Sequence, residues 1–538
     1  MIFSSLTPVV GTTFVVVVFL LLKLRTVWYN LFLHPLKNVP GPKLAAATDL
    51  YKIYYDLIIR GGLLEQIEKL HKQYGPVIRI APNVLHFNDE RAYYQIYGVG
   101  STFTKDPELY SCFAMNESSF TYTDPEAHRR RVQMINPFFS RRAIVELENV
   151  VQEKVDKFIT RMISHPKDRA INMFWAFRCA SVDVITSYVL GQDFHAMDHP
   201  YFSHPFPLGI QRQVHVLWVW KYFPFIIPLF LSIPKRIMTY LKPLLGELAA
   251  ALAVREQVEE KIERFLSDER ALEGVEHEVI WHHLIGDGME ELSELDGEKK
   301  VSGLGGREKG EKSGERRGEY DGPSKNSLLS EALILTQAGS DTVGNTCYLA
   351  TFYILNDPSV YHKLKEELRQ VWPDKETRIG MDVLEKLPYL NAVLKESLRL
   401  GHGVVTPLPR VVGPGPAEIL GVHVPAGTIV GMSCTFLHYD PRVFPDPYTF
   451  KPERWLPGGS SNLSEMEHYL RPFSNGPRQC LGQNLAWAEL YLIMGYVFRK
   501  LDLTMHDTSI DDFKHFKELF VPSFEGRTFH AFAEEATS

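Results

Sequence analysis

Residues 2–22 carry no charged side chain, and Phe14-Val-Val-Val-Val-Phe-Leu-Leu-Leu22 is apolar throughout. This feature constrains the fold most, because a helix over 21 such residues is long enough to cross the hydrocarbon of a bilayer. A secretory leader would place basic residues before a shorter apolar core and small residues after it. Here Lys23 and Arg25 follow the run instead. That order predicts a retained transmembrane anchor over residues 1–22, with everything after it on the cytosolic side. Trp28 and Tyr29 fall where interfacial aromatics belong. The competing reading, a buried core helix, does not suit the first segment of a chain that continues into a hinge. Residues 23–42 contain His34-Pro-Leu-Lys-Asn-Val-Pro-Gly-Pro42. Its prolines fix φ and restrict the residues before them, so this stretch is predicted to be a stiff, non-helical hinge.

The remaining chain, 43–538, has the composition of a globular protein: the whole sequence is 45% hydrophobic and 23% charged. A net charge of −7 gives no basic signature for nucleic acid. Five scattered cysteines (Cys112, Cys179, Cys347, Cys434, Cys480) contain no C-x-x-C pair, which supports neither a disulfide framework nor a zinc site. Most of the chain has helical period. Val77-Ile-Arg-Ile80 and Val84-Leu-His-Phe87 flank Pro82-Asn83 and predict a hairpin, and residues 419–424 and 428–433 predict a second one across Pro425-Ala-Gly427. Residues 206–235 are apolar and proline-broken; they read equally as core or as a second membrane-dipping patch. Residues 288–326 have almost no apolar anchor and predict a disordered insertion.

Near the C-terminus, Phe473-Ser-Asn-Gly476-Pro-Arg478-Gln-Cys480-Leu-Gly482 sets one cysteine between two glycines and an arginine. Five such fixed positions meet by chance in about one chain in ten thousand. A lone cysteine is otherwise most often a buried structural thiol. The pattern F-x-x-G-x-R-x-C-x-G is the cysteine-ligand loop of the cytochrome P-450 family, the haem-thiolate monooxygenases. The chain resembles that family over nearly its whole length, most of all its fungal secondary-metabolism members of the trichodiene oxygenase-like kind. The resemblance implies the mainly α fold of that family, with a smaller β region near the N-terminal third and one transmembrane helix in front. It also implies haem b, with Cys480 as the thiolate ligand of the iron. A thiolate ligand pushes electron density onto the metal and favours O–O cleavage. On this reading Phe473 opens the loop, Gly476 and Gly482 let backbone pass close to a flat ligand, and Arg478 offers a fork of donors to a propionate.

Further motifs fall in the family's order. Glu396-Ser-Leu-Arg399 matches E-x-x-R, and the spacing puts both charges on one helix face. Alone it reads as a weak surface ion pair. With Arg454 of Pro452-Glu-Arg-Trp455 it resembles the family's buried triad, whose role is structural. Ala338-Gly339-Ser340-Asp341-Thr342 matches A-G-x-D-T, which in the family crosses the distal haem face. There Gly339 is expected to clear space over the iron, and Asp341 and Thr342 to form a hydrogen-bonded proton relay. Arg410 aligns with a family propionate arginine. His128 fits the family's aromatic-or-His position, but the arginine expected four residues on is Val132, and Arg131 is the expected substitute. A solvated basic helix that meets a reductase is the rival reading for Arg129 to Arg131.

These resemblances imply an oxidoreductase of the endoplasmic reticulum membrane, single-pass with a cytosolic catalytic domain. It would use O2, an apolar small-molecule substrate such as a terpenoid, polyketide or alkaloid, and electrons from NADPH through a separate cytochrome P-450 reductase, since no flavin or dinucleotide fingerprint lies in the chain. Membrane lipid would be its other partner. Two alternatives stand: a haem-thiolate isomerase or dehydratase that does not use O2, and a non-catalytic haem-binding protein.

Overall fold

The computed structural model describes residues 3–233, 235–267, 271–272, 275, 277–285, 323–459 and 462–537. The expected insertion at 288–326 therefore lies outside the described residues up to 322. Its far end is fixed: Ser324 accepts a hydrogen bond from the Ser327 N–H at 3.1 Å and caps a helix over Lys325–Asn356.

The N-terminal helix runs over Phe3–Phe32, past the predicted boundary at 22, because no proline or glycine interrupts residues 23–32. Its apolar span is Thr12–Phe32, and only 6% of that window is buried. Turns occupy the proline-rich residues 33–41, so the stiff segment is shorter than the predicted 23–42. Met173–Leu190 is also apolar enough to cross a membrane, yet 89% of it is buried, which makes it a core helix. It packs along Lys325–Asn356, the hub of the main hydrophobic cluster, which also takes in Pro388–Gly401 and Gln483–Lys500.

The first hairpin forms as predicted, Val77–Ala81 antiparallel to Val84–Phe87. The second does not. Ala417–Ile419 pairs with Val422–Val424 around Leu420 and Gly421, both at positive φ (52° and 73°). Two successive left-handed residues make the tight turn whose twist suits a hairpin, and they outcompete Pro425-Ala-Gly427. Ile429–Gly431 leaves that hairpin and lies parallel to Val84–Phe87, then antiparallel to Arg410–Val411. Thr104–Lys105 closes this five-stranded sheet, with Lys105 opposite Arg410. A three-stranded sheet joins Ile171–Asn172, His530–Glu535 and Leu501–His506. The β structure thus draws on both ends of the chain, not on the N-terminal third alone, because short strands pair across sequence distance.

Residues 206–235 divide between the two readings. Trp218, Trp220 and Phe230 are buried in a cluster with Tyr110 and Phe113. Phe225 and Leu229 at the tip are 69% and 67% exposed.

Candidate active site

A fully buried carboxylate organises one side of the site. Arg399 donates to both Glu396 oxygens, from Nε at 2.9 Å and from Nη2 at 2.8 Å. Arg454 Nε (3.0 Å), Trp455 Nε1 (2.8 Å) and the Lys451 N–H (2.9 Å) complete the shell. The three charged side chains are at most 4% exposed, so the weak surface-pair reading is excluded. Burial by itself raises the Glu396 carboxyl; the Arg399 guanidinium and its hydrogen bonds, then Arg454, outweigh that and hold it below its ordinary value. Arg399 also donates to the carbonyls of His438, Pro447 and Thr449, tying the end of the short helix Thr435–His438 to the turns that follow it.

A side chain that sequence reasoning missed carries this bracing to the cysteine loop. His438 Nε2 accepts the Arg471 N–H at 2.9 Å, two residues before Phe473, and the Phe473 carbonyl accepts the Cys480 N–H at 2.9 Å. Since Nε2 accepts, the His438 proton sits on Nδ1, which donates to His402 Nδ1 at 3.1 Å. Burial and then the Arg399 charge lower the His438 pKa to about 3, which keeps the ring neutral and the acceptor available. No motif marks His438; only the Arg399–carbonyl contact places it.

A Cβ at Gly476 would lie 2.2 Å from the Tyr97 carbonyl, and Gly476 sits at φ +71°. Backbone of the Tyr97–Gly98 turn requires that glycine. The Phe473 ring packs 6.2 Å from Trp487. Cys480 keeps accessible surface although protein crowds it, and the two together describe a concave setting. Burial pushes its thiol up to about 11; the Gly482 N–H, at the start of the helix Gln483–Lys500, acts the other way.

The opposite flank collects basic groups. Arg478 donates to the Tyr122 carbonyl at 2.9 Å, and Arg410 to the Tyr110 hydroxyl at 3.0 Å. Burial, then the charges of Arg478, Lys105 and Arg410, drive His128 down to about 3. Burial and Arg410 lower Arg478 to about 10. His128 thus lies within reach of the Arg410 and Arg478 charges. Arg131 does not join them. It is buried in an ion pair with Glu331 (3.1 Å) and donates to Ser327 Oγ (2.5 Å), while Glu331 also accepts from the N–H (2.8 Å) and hydroxyl (2.6 Å) of Ser119. The i, i+3 relation that put Arg131 near His128 could not reveal a partner 200 residues away.

The distal motif is also rearranged. A Cβ at Gly339 would sit 2.4 Å from Ile185 Cγ1, so this glycine serves the packing of Lys325–Asn356 on Met173–Leu190. Asp341 and Thr342 do not bond each other, since adjacent helical residues point about 100° apart. Asp341 accepts from Arg178 Nε at 2.7 Å and from Gln211 at 2.5 Å. The Thr342 hydroxyl donates to the Ala338 carbonyl at 2.9 Å, and Thr346 does the same to Thr342, which loosens the helix at this turn. Arg178 and Gln211 had no sequence signal.

The family model described as Cytochrome P-450 matches residues 51–526. The chain belongs to the cytochrome P-450 family. Cytochrome P-450 monooxygenase TRI4 of Trichoderma arundinaceum is 30% identical over 90% of this chain and 88% of its own length. Cytochrome P-450 monooxygenase orf6 of Eupenicillium brefeldianum is 32% identical over 92% and 93%. Tryptophan 6-hydroxylase fscE of Fusarium equiseti is 31% identical over 96% and 95%. As a cytochrome P-450 monooxygenase the protein is an oxidoreductase that uses O2, and the family holds haem through a cysteine thiolate. The residues present fit that group: three long basic side chains, Lys105, Arg410 and Arg478, gather with no carboxylate in ion-pair range among the described residues, an arrangement suited to the two propionates of haem.

Proposed function

We propose that the protein is a membrane-anchored monooxygenase that inserts one oxygen atom of O2 into an apolar secondary-metabolite substrate, of the terpenoid, polyketide or alkaloid kind, with electrons passed from NADPH by a separate reductase. The observation that carries this reading is the loop at 473–482, which presents Cys480 on a concave surface and is braced through His438 by the buried Glu396–Arg399–Arg454 set. Haem b, held at Cys480 and at Arg410 and Arg478, supplies the oxygen-activating chemistry when bound. Thr342 keeps its proton on the Ala338 carbonyl, which leaves its oxygen lone pairs to accept from water on the distal side and so to hold a proton source. Asp341, held by Arg178 and Gln211, fixes the rotation of that helix turn.

Membrane attachment rests on Thr12–Phe32. A second apolar contact is formed by exposed Tyr54, Ile58, Phe223 and Phe225. These neighbour one another because Asp56 accepts from Lys221 at 3.0 Å and from Tyr222 at 2.5 Å. The endoplasmic reticulum, with the catalytic body in the cytosol, suits Lys23 and Arg25.

The test is spectroscopic. Reduced protein under carbon monoxide is expected to show the thiolate-type Soret band, and Cys480→His to abolish it; an imidazole-type band in the wild type overturns the assignment. Thr342→Ala is expected to retain haem and substrate binding but to divert NADPH into peroxide. Unchanged product yield per NADPH in that variant would remove Thr342 from proton handling.

A further inference from the structure

Behind the exposed apolar residues Tyr54, Ile58, Phe223 and Phe225 lies a buried ionic cluster that no motif marks. Asp56, in the helical turn Tyr54–Ile58, is 2% exposed. Glu518, on the hairpin of Phe516–Leu519 and Val521–Phe524, is 3% exposed. Lys221, near the end of the helix Pro205–Tyr222, donates to Asp56 Oδ2 at 3.0 Å. Its ammonium sits 4.7 Å from the Trp218 ring centroid, and Trp218 Nε1 donates to the Glu518 carbonyl at 3.1 Å. Gly61 joins the two acids through backbone: its N–H donates to the Asp56 carbonyl at 3.0 Å, and its carbonyl accepts the Glu518 N–H at 2.9 Å. The Thr406 hydroxyl donates to the Glu518 carboxyl. Distant segments thus bring two carboxylates to one ammonium. The cluster is short of a proton donor, since Asp56 Oδ1 is buried without a hydrogen-bond partner.

Two buried carboxylates that share one cation cannot both ionise without penalty. Burial raises the Glu518 carboxyl and the Asp56 charge raises it further; Lys221 and the Thr406 hydrogen bond offset part of this and leave it at about 8. Burial works against the Lys221 ammonium, but the Asp56 charge outweighs it and lifts the group above its ordinary value. Tyr222, which donates to Asp56, and Cys112 both keep their protons, because burial raises each. The next charges outward are Asp106, Glu108 and Lys52, and Lys52 lies 3.4 Å from both Asp49 and Glu108. On the hairpin itself Lys517 lies 3.9 Å from both Glu65 and Glu525. One residue separates Glu518 from Phe520, whose ring packs 5.0 Å from Phe113 and 6.1 Å from Phe120. The seating of Glu518 therefore sets the seating of an apolar wall.

We propose that Asp56, Lys221 and Glu518 form a proton-linked clasp: one proton kept between the two carboxylates seats the hairpin against the helix Pro205–Tyr222, and its loss lets the tip at Leu519 and Phe520 lift from Phe113 and Phe120. A lifted tip returns Glu518 to water and to its ordinary value of 4.5. Between 4.5 and about 8 the seated form binds more protons than the lifted one. Its advantage is fully present below 4.5, falls across that window and is gone above about 8. Within the window each unit of pH changes the ratio of seated to lifted forms by up to about tenfold.

The experiment is hydrogen exchange read by mass spectrometry on the full-length protein in lipid nanodiscs, from about pH 6 to about pH 9, corrected for the intrinsic exchange rate. Peptides covering residues 516–524 are expected to lose protection by up to about tenfold per pH unit below about pH 8 and to level off above it. Glu518→Gln, whose side chain does not ionise, is expected to abolish that slope. Asp56→Asn removes the like charge, so Lys221 then favours ionised Glu518 and the slope is expected to move to lower pH. Infrared spectra of the wild type at neutral pH are expected to contain a protonated carboxyl stretch that Glu518→Gln lacks. A wild type without the slope, or with the same slope as Glu518→Gln, overturns the proposal. An equal slope in peptides of the core helix Gln483–Lys500 also overturns it, since the effect would then be global unfolding and not release of the hairpin. Should Glu518→Gln fail to fold, a slope left in place by Asp56→Asn overturns it.

Discussion

Two arginine clusters flank the same loop and differ in one respect. Arg399 and Arg454 share Glu396 and a shell of carbonyls, so their charge is answered within the chain. Arg410 and Arg478, with Lys105 beside them, are answered by carbonyls, a tyrosine hydroxyl and aromatic rings, and among the described residues by no carboxylate within ion-pair distance. A buried cation with its own counter-ion is architecture; a group of cations without one, two of them buried, is built to receive an anion. Motif matching gave both clusters arginines of the same family. Only the counter-charge separates the roles.

The largest effect that could break this comparison comes from Glu396→Gln. It leaves two buried guanidinium groups without a counter-ion, a loss of about 3–5 kcal/mol, and soluble holoprotein is expected to be absent in a carbon monoxide assay of expressed material. Normal haem content in that variant would mean that the carbonyl shell alone supports Arg399 and Arg454. The second test runs in the opposite direction. Arg478→Met removes one of several like charges, so the haem-free protein is expected to be no less stable to urea than wild type while the haem-loaded protein loses haem faster. If the haem-free protein falls as far as Glu396→Gln, the second cluster is structural as well.

The smallest effect is a pH dependence. The Glu396 carboxyl is depressed in the folded protein below its ordinary value of 4.5. Its contribution is therefore fully present above that value and is lost as pH falls through the lower, folded one. Arg454→Met takes away one of the charges that depress it. The acid midpoint for loss of the thiolate band is then expected to move upward in this variant. A midpoint that stays in place would show that other carboxylates govern acid unfolding.

Much of this was legible in the chain. The family resemblance, beside the helical period of most of the chain, gave the mainly α class. The uncharged N-terminal run gave the exposed helix, although its end at Phe32 was beyond the predicted boundary. Local spacing gave Glu396 with Arg399, since i, i+3 geometry is a property of any helix. It gave the wrong partner for Arg131 and no partner for Gly339 or Asp341. In each case the decisive contact comes from another helix or a distant segment: Glu331 for Arg131, Ile185 for Gly339, Arg178 for Asp341.

The sequence by itself determined the elements with short-range causes: the anchor, the first hairpin, the helix faces and the residue types in the cysteine loop. Hydrophobic period, turn chemistry and helical spacing act over a few residues and leave their mark in the order of the chain. Tertiary structure decided which charges are balanced. It brought Lys105 opposite Arg410 across 305 residues of sequence and linked Arg399 to Cys480 through His438. Electrostatic roles depend on distance and burial in space, and no local pattern encodes either one.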